Sequence, residues 1–166
     1  LVLDLNGCTI SQTVEQTAEY SMIRNKGTLT IDDSKGNGKI SYTDSGYGGE
    51  YVSNTITNNG TLTVKSGTIV NASADAVGGP GYPYAIDSRQ SGATEVVLNI
   101  EGGTIKSSYS PLRVGANNSS VNNVANITGG DFYGRLDFQQ LTDGGKAELN
   151  ISGGTFNQFG IKQYVL

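Results

Sequence analysis

The sequence predicts an all-β protein that forms a single right-handed parallel β-helix, a solenoid of about six coils. Three observations support this prediction: a short apolar motif recurs six times along the 166 residues, the spacing between its copies varies, and the composition favours strands and tight turns. The chain contains 24 Gly, 3 Pro and no Trp, and Ser, Thr and Asn are common. Such a composition is typical of many short strands joined by tight corners.

The recurring motif is an octet with apolar residues at positions one, three and eight and a turn pair between the third and the eighth. Leu62–Ile69 shows it in the form Leu-Thr-Val-Lys-Ser-Gly-Thr-Ile, and the second copy contains about two extra residues around Ser34–Asn37. The pattern predicts a strand, a corner that contains Gly, and a second strand. The six copies begin at Leu3, Leu29, Leu62, Leu98, Ala125 and Leu149.

A third short strand precedes each of the later octets. The segment Ile23–Leu29 matches Ile56–Leu62 at its Ile, Asn, Gly, Thr and Leu residues. Because one coil cannot bury its own apolar face, we expect the coils to stack about 4.8 Å apart around a shared core. Asn25 and Asn58 then occupy equal positions and are predicted to form an amide ladder.

Two other architectures fit these patterns less well. Leucine-rich repeats usually have a helical return leg, whereas Gly, Ser and Asn fill that part of the repeat here. A β-sandwich gives no reason for an octet that recurs six times. The variable spacing of the copies favours the right-handed β-helix over the left-handed type, which keeps a stricter period.

The charge and the residue types exclude several classes of function. The chain has no His and only one Cys, which removes the commonest general base and metal ligand and any disulfide framework. A formal charge of -4 disfavours binding to nucleic-acid phosphates. No apolar run in the sequence is long enough to cross a bilayer. The segment Asp32–Gly38 fits a solvated turn better than a calcium loop, whose acids alternate. We expect no cofactor, no metal, no nucleic acid and no membrane contact.

The length fits one domain, residues 1–166. The sequence opens inside a strand pattern, so we interpret the chain as a segment of a longer protein. Neither residues 1–3 nor residues 163–166 resemble the polar cap of a solenoid. We therefore expect other protein subunits or flanking domains to cover the ends.

A column of polar residues follows the apolar anchor of each third strand and is predicted to face outward. The carboxylates of Asp87 and Asp137 are predicted to lie two coils apart, which is about 9–10 Å. In inverting glycosidases the two catalytic carboxyl groups are about 6.5–9.5 Å apart, so the predicted separation is at the upper edge of that range. However, Arg113 between them favours the ionised form of both, and a general acid needs a raised pKa. We interpret the column as a charge ladder and keep catalysis by these three residues as the alternative. The column contains Arg24, Thr57, Asp87, Arg113, Asp137 and Lys162.

Two insertions, residues 41–55 and 71–84, are rich in tyrosine and leave the coil after the same octet position. Tyrosine offers a flat apolar face with a polar tip, which suits stacking on a sugar or contact with another protein. In the alternative interpretation these rings pack on the solenoid and cover it. The candidate ligand-binding residues are Tyr42, Tyr47, Tyr51, Tyr82 and Tyr84.

The strings Leu-Asp-Leu-Asn-Gly-x-Thr-Ile at 3–10 and Asn-x-Gly-Thr-Leu-Thr-Ile/Val at 25–31 and 58–64 resemble right-handed β-helix repeats of the pectate-lyase-like superfamily. More narrowly, they are similar to repeats in large surface proteins of gut bacteria and in bacteriophage fibre or head-decoration proteins. The resemblance covers nearly the whole chain. It is specific for the fold and not for a function, because such repeats serve enzymes and inert stalks alike.

From these observations we expect a non-catalytic, extracellular structural or adhesive module. It would serve as the stalk or display surface of a bacterial surface protein, or as a fibre or capsid decoration protein of a phage virion. One alternative is a polysaccharide lyase or glycoside hydrolase that uses Asp87, Arg113 and Asp137. The other is a carbohydrate-binding module whose tyrosine loops hold a cell-surface glycan.

Overall fold

The computed structural model describes residues 1–15, 19–45, 52–74, 82–90, 95–116, 122–140, 146–158 and 161–165. Over these ranges the protein consists of β-strands and corners, with no helix and hence no helix that could span a membrane. The strands are β1 (Val2–Asp4), β2 (Thr9–Val14), β3 (Tyr20–Asn25), β4 (Thr28–Asp32), β5 (Lys39–Asp44), β6 (Ser53–Asn58), β7 (Thr61–Val64), β8 (Thr68–Asn71), β9 (Pro83–Gln90), β10 (Glu95–Ile100), β11 (Thr104–Ser107), β12 (Ser110–Ala116), β13 (Asn122–Ile127), β14 (Asp131–Tyr133), β15 (Leu136–Gln140), β16 (Lys146–Ile151), β17 (Thr155–Phe156) and β18 (Ile161–Val165).

The strands form three six-stranded sheets in which every pair is parallel. Sheet A has the order β1-β4-β7-β10-β13-β16, sheet B the order β2-β5-β8-β11-β14-β17, and sheet C the order β3-β6-β9-β12-β15-β18. Each strand therefore pairs with the strand three places earlier in the chain, as successive turns of one winding do. The predicted all-β parallel β-helix is confirmed.

The apolar octet positions form vertical lines inside the helix, as predicted. Burial of each aliphatic side chain contributes about 1.5–3 kcal/mol, so these lines are the main source of stability. In sheet A the line is Ile31, Val64, Ile100, Ile127 and Ile151, of which the first four are fully buried and the last lies on the edge strand. Ile40, Ile69, Ile105 and Phe132 of sheet B and Ile56, Ile86, Leu112 and Leu136 of sheet C complete one core cluster.

The first two copies of the octet differ from the prediction. We placed Leu5 at the third octet position, but the register pairs Leu3 with Ile31, and Leu5 is buried in the corner that follows. Six residues separate Leu3 from Ile10, and eight separate Ile31 from Ile40, whereas the later copies have four. The second copy thus carries four extra residues rather than two, and both of these corners between sheets A and B are long.

The carboxylate of Asp33 connects the two long corners. Its Oδ1 accepts a hydrogen bond from the Gly7 amide at 2.7 Å and its Oδ2 accepts one from the Gly38 amide at 2.6 Å. Asp33 is only 7% exposed, so the expectation that the whole segment is a solvated turn is wrong at this residue. The Asp33 side chain thus links the first long corner to the second, where the extra residues lie outside the paired strands.

We expect Asp33→Ala to lower the free energy of unfolding by about 3 kcal/mol, because two nearly buried amides lose a charged acceptor. Asp33→Asn keeps one acceptor oxygen and should lose about half as much. Urea unfolding followed by circular dichroism measures both variants. Lys35→Ala, an exposed change in the same corner, is the control; a loss in this control equal to that of Asp33→Ala would contradict the proposed role.

Two amide ladders connect successive coils. The predicted ladder is confirmed, since Asn25 Nδ2 donates to Asn58 Oδ1 at 2.9 Å and both residues are buried. A second ladder lies at octet position two of sheet A, where Asn126 Nδ2 donates to Asn99 Oδ1 at 2.9 Å and Asn150 Nδ2 donates to Asn126 Oδ1 at 3.1 Å. The sequence analysis missed this second ladder, although the recurrence of Asn at one octet position was a signal for it.

Candidate functional site

The predicted polar column runs through the middle of sheet C. The register pairs Asp87 with Arg113 and Arg113 with Asp137. Because Ile86 and Leu112 at the preceding positions belong to the core cluster, alternation along the strands places the column on the opposite, outer face. The rest of the column is also in register, with Arg24, Thr57 and Lys162 at the expected positions.

The column was predicted to face outward, and at its centre the outward-facing side chains are nevertheless covered. Asp87 is 3% exposed, and Arg113 and Asp137 are each 2% exposed. Both carboxylates are therefore almost fully closed to solvent in this arrangement.

A buried ion pair joins Arg113 to Asp87. The guanidinium is bidentate, with Nε donating to Oδ1 at 3.0 Å and Nη2 donating to Oδ2. Its carbon also lies 4.0 Å from the centroid of the Tyr84 ring, a cation–π contact. Burial alone would lower the pKa of Arg113, but the charge and hydrogen bonds of Asp87 outweigh burial and raise it. Arg113 therefore remains positively charged at neutral pH.

Asp137 has a different partner from the one that a simple charge ladder predicts. Its Oδ2 accepts a hydrogen bond from the hydroxyl of Tyr84 at 2.8 Å. Burial raises the pKa of Tyr84; the charge of Arg113 opposes this effect and that of Asp137 adds to it. The phenol therefore stays protonated and remains the donor. The hydrogen bonds of the ladder are asymmetric, because Arg113 donates to Asp87 and Tyr84 donates to Asp137, while the charge of Asp137 also helps to raise the pKa of Arg113.

Arg89 and Asn54 complete the surroundings of Asp87. The Arg89 Nε lies 3.9 Å from Asp87 Oδ1, and Asn54 Nδ2 lies 3.5 Å from Asp87 Oδ2. Burial lowers the pKa of Arg89, and the positive charge of Arg113 lowers it further. We call Tyr84, Asp87, Arg89, Arg113 and Asp137 the sheet C cluster. With two carboxylates and two guanidinium groups, it is formally neutral.

The candidate tyrosines are distributed between core and surface. Tyr42 and Tyr84 are buried, so their rings are closed to a ligand in this arrangement. Tyr84 packs on Arg113 of sheet C, whereas Tyr42 lies on the same face of β5 as the core residue Ile40. Tyr47 and Tyr51 lie outside the described residues. Tyr82 is 36% exposed and is the one described candidate whose ring a ligand could reach.

The sequence analysis missed four further residues in this part of the molecule. They are Tyr109, Arg135, Lys106 and Tyr133. The rings of Tyr82 and Tyr109 are 4.5 Å apart between centroids, and the Arg135 guanidinium lies 4.3 Å from the centroid of Tyr109. In the neighbouring strands, Lys106 Nζ lies 4.5 Å from the centroid of Tyr133. These five residues are called the corner ridge: Tyr82, Tyr109 and Arg135 come from three successive corners between sheets B and C, and Lys106 and Tyr133 come from the adjoining strands β11 and β14. The sequence signal for them is a basic residue two or three positions from a tyrosine, at Lys106 and Tyr109 and again at Tyr133 and Arg135, outside the long insertions.

No protein-family model, no curated protein and no solved structure matches this chain. The fold assignment therefore comes from the geometry of the three sheets. The likeness to pectate-lyase-like, bacterial surface and phage repeats remains a resemblance of short sequence motifs.

Proposed function

We propose that this chain is a non-catalytic structural or adhesive β-solenoid that acts outside the cell. It would serve as the stalk or display surface of a bacterial surface protein or as a fibre or capsid decoration protein of a phage virion. The octet strings support this relation, as do the parallel pairing through all six strands of each sheet and the continuous core. These features favour a stiff rod.

The observation that carries the proposal is that the carboxylates of the sheet C cluster are buried and hydrogen-bonded to other side chains. A general acid or base must come within hydrogen-bond reach of its substrate. Asp87 is engaged by Arg113 and Asp137 by Tyr84, and all four side chains are buried. The residues with the best case for catalysis are thus used in holding the outer face of sheet C together.

The proposal includes partners at the two ends of the solenoid. Leu1, Val2 and Ile10 on the first strands and Ile151 on the last strand of sheet A are exposed large apolar residues. Ile10 and Ile151 continue the apolar lines of the core, since they pair with Ile40 and Ile127. We propose that flanking domains or other subunits cover these exposed residues.

We expect the purified protein to release no product from a panel of polysaccharides that includes polygalacturonate, alginate, xylan and chitin. Reducing-end assays detect hydrolysis, and ultraviolet absorbance detects the unsaturated ends that a lyase makes. Asp137→Asn is the matched variant, because its amide oxygen still accepts a hydrogen bond from Tyr84. Product release by the wild type that Asp137→Asn abolishes would overturn the proposal in favour of a lyase or hydrolase.

A further inference from the structure

The corner ridge combines exposed aromatic rings with two cations. Tyr82 is 36% exposed and Tyr133 is 42% exposed. Tyr109 is half-buried, in contact with the ring of Tyr82 and the guanidinium of Arg135. Lys106 is exposed and lies over the ring of Tyr133. Contacts of this kind hold long basic side chains in a few conformations.

The backbone below the ridge is closely packed. Gly134, with φ +118°, precedes Arg135, and a Cβ on it would lie 2.7 Å from Pro111 Cδ and 3.3 Å from the carbonyl oxygen of Ser107. Tyr109 also meets Tyr84 edge-on, with centroids 5.6 Å apart, which anchors the ridge on the sheet C cluster. A preorganised surface loses little conformational entropy when it binds a partner.

Lys106 and Arg135, the two cations of the ridge, form no ion pair with a carboxylate of the described residues. In the part of the chain that the structure describes, the ion pairs within 4.0 Å join Asp87 to Arg89 and Arg113 and involve neither ridge cation. The sheet C cluster beneath is formally neutral. Lys106, Arg135 and exposed Asp131, two positions before Tyr133, together carry a formal charge of +1, although the chain as a whole has a formal charge of -4.

We propose that the corner ridge docks an acidic segment of a partner protein. Carboxylates of the partner bind Lys106 and Arg135, and an apolar or aromatic side chain packs on the platform of Tyr82 and Tyr109. Tyr and Arg are enriched among the residues that dominate protein interfaces, and Arg binds carboxylates through two parallel hydrogen bonds. The acidic remainder of the surface repels such a segment and so directs it to the ridge. The inference goes beyond the proposed function and does not depend on it.

A yeast-displayed library of random peptides, selected on the wild-type protein and depleted on Lys106→Ala/Arg135→Ala, tests the proposal. We expect the enriched peptides to carry Asp or Glu next to an aromatic residue. A synthetic peptide of that sequence should bind the double variant with an affinity at least about tenfold lower than that for the wild type. High salt should weaken its binding to the wild type. Lys26→Ala/Lys35→Ala, which removes two exposed cations elsewhere, should bind like the wild type.

Three results would overturn the proposal: enriched peptides without acidic residues, no peptide whose binding requires the ridge, or equal loss of binding in the Lys26→Ala/Lys35→Ala control. The same proteins are applied to a glycan array. A glycan that requires Lys106 and Arg135, when no peptide does, would also overturn the proposal and assign the ridge to sugars. Circular dichroism and melting curves ensure that the compared variants are folded. The polysaccharide assays above are independent, so failure here leaves the proposed function standing.

Discussion

Arg113→Met is expected to lower the free energy of unfolding by about 3 kcal/mol, because the buried carboxylate of Asp87 would lose its bidentate partner and keep only Arg89, whose Nε lies 3.9 Å away. Arg113 and Asp87 are almost fully closed to water, so solvent cannot replace the lost partner. The variant also loses the stacking of the guanidinium on Tyr84. Urea unfolding followed by circular dichroism measures the change.

Two comparison variants separate the ion pair from general effects of the substitution. Arg24→Met makes the same change at an exposed position of the same column and should alter stability by no more than about 0.5 kcal/mol. Asp87→Leu combined with Arg113→Met replaces both charges by apolar groups and should recover much of the loss, since the buried carboxylate of Asp87 is removed together with its main partner. If Arg113→Met proves as mild as Arg24→Met, the buried pair does not stabilise the fold.

Gly129→Ala should destabilise the protein by about 3 kcal/mol through overpacking. A Cβ at this position would lie 2.2 Å from the carbonyl oxygen of Glu101 in the preceding coil. That oxygen belongs to backbone held between coils, and it cannot move away without disturbing the pairing. The next residue, Gly130, has a different requirement, since its φ of +93° lies in the left-handed region. The Gly-Gly pair of the octet therefore combines a close approach with a turn.

Gly27→Ala is the matched control for this prediction. A Cβ on Gly27 would have no neighbouring atom within 4 Å. The substitution should be neutral or slightly stabilising, by less than about 1 kcal/mol, because it restricts the unfolded chain. Thermal melting of the two variants side by side checks the pair. Equal melting temperatures would contradict the role given to the contact between coils.

The sequence predicted the parts of the fold that repeat. Ile31, Val64 and Ile100 occupy one octet position, and stacked coils bring equal positions together, so their alignment follows from periodicity. Asn25 and Asn58 were predictable for the same reason. The register of the first copy was not, because Leu1, Leu3 and Leu5 alternate, and a shift by two residues leaves the same side chains on the same face.

The centre of the polar column shows why burial was not predictable. Alternation places Asp87 and Arg113 away from the core, which is correct. However, the ring that stacks on Arg113 comes from Tyr84, which the sequence analysis assigned to a ligand-binding loop, and Tyr109 comes from a short corner of the next coil. Coverage of this kind depends on side-chain directions and contacts between coils that no periodic pattern encodes.

The equivalence of paired positions means that one winding can substitute for another. Ala125 pairs with Leu98 as Leu98 pairs with Leu62, so the surface that a winding presents to the next is nearly the same at each level. Evolution or design can therefore lengthen or shorten the molecule in whole-winding steps, each changing its axial length by about 4.8 Å.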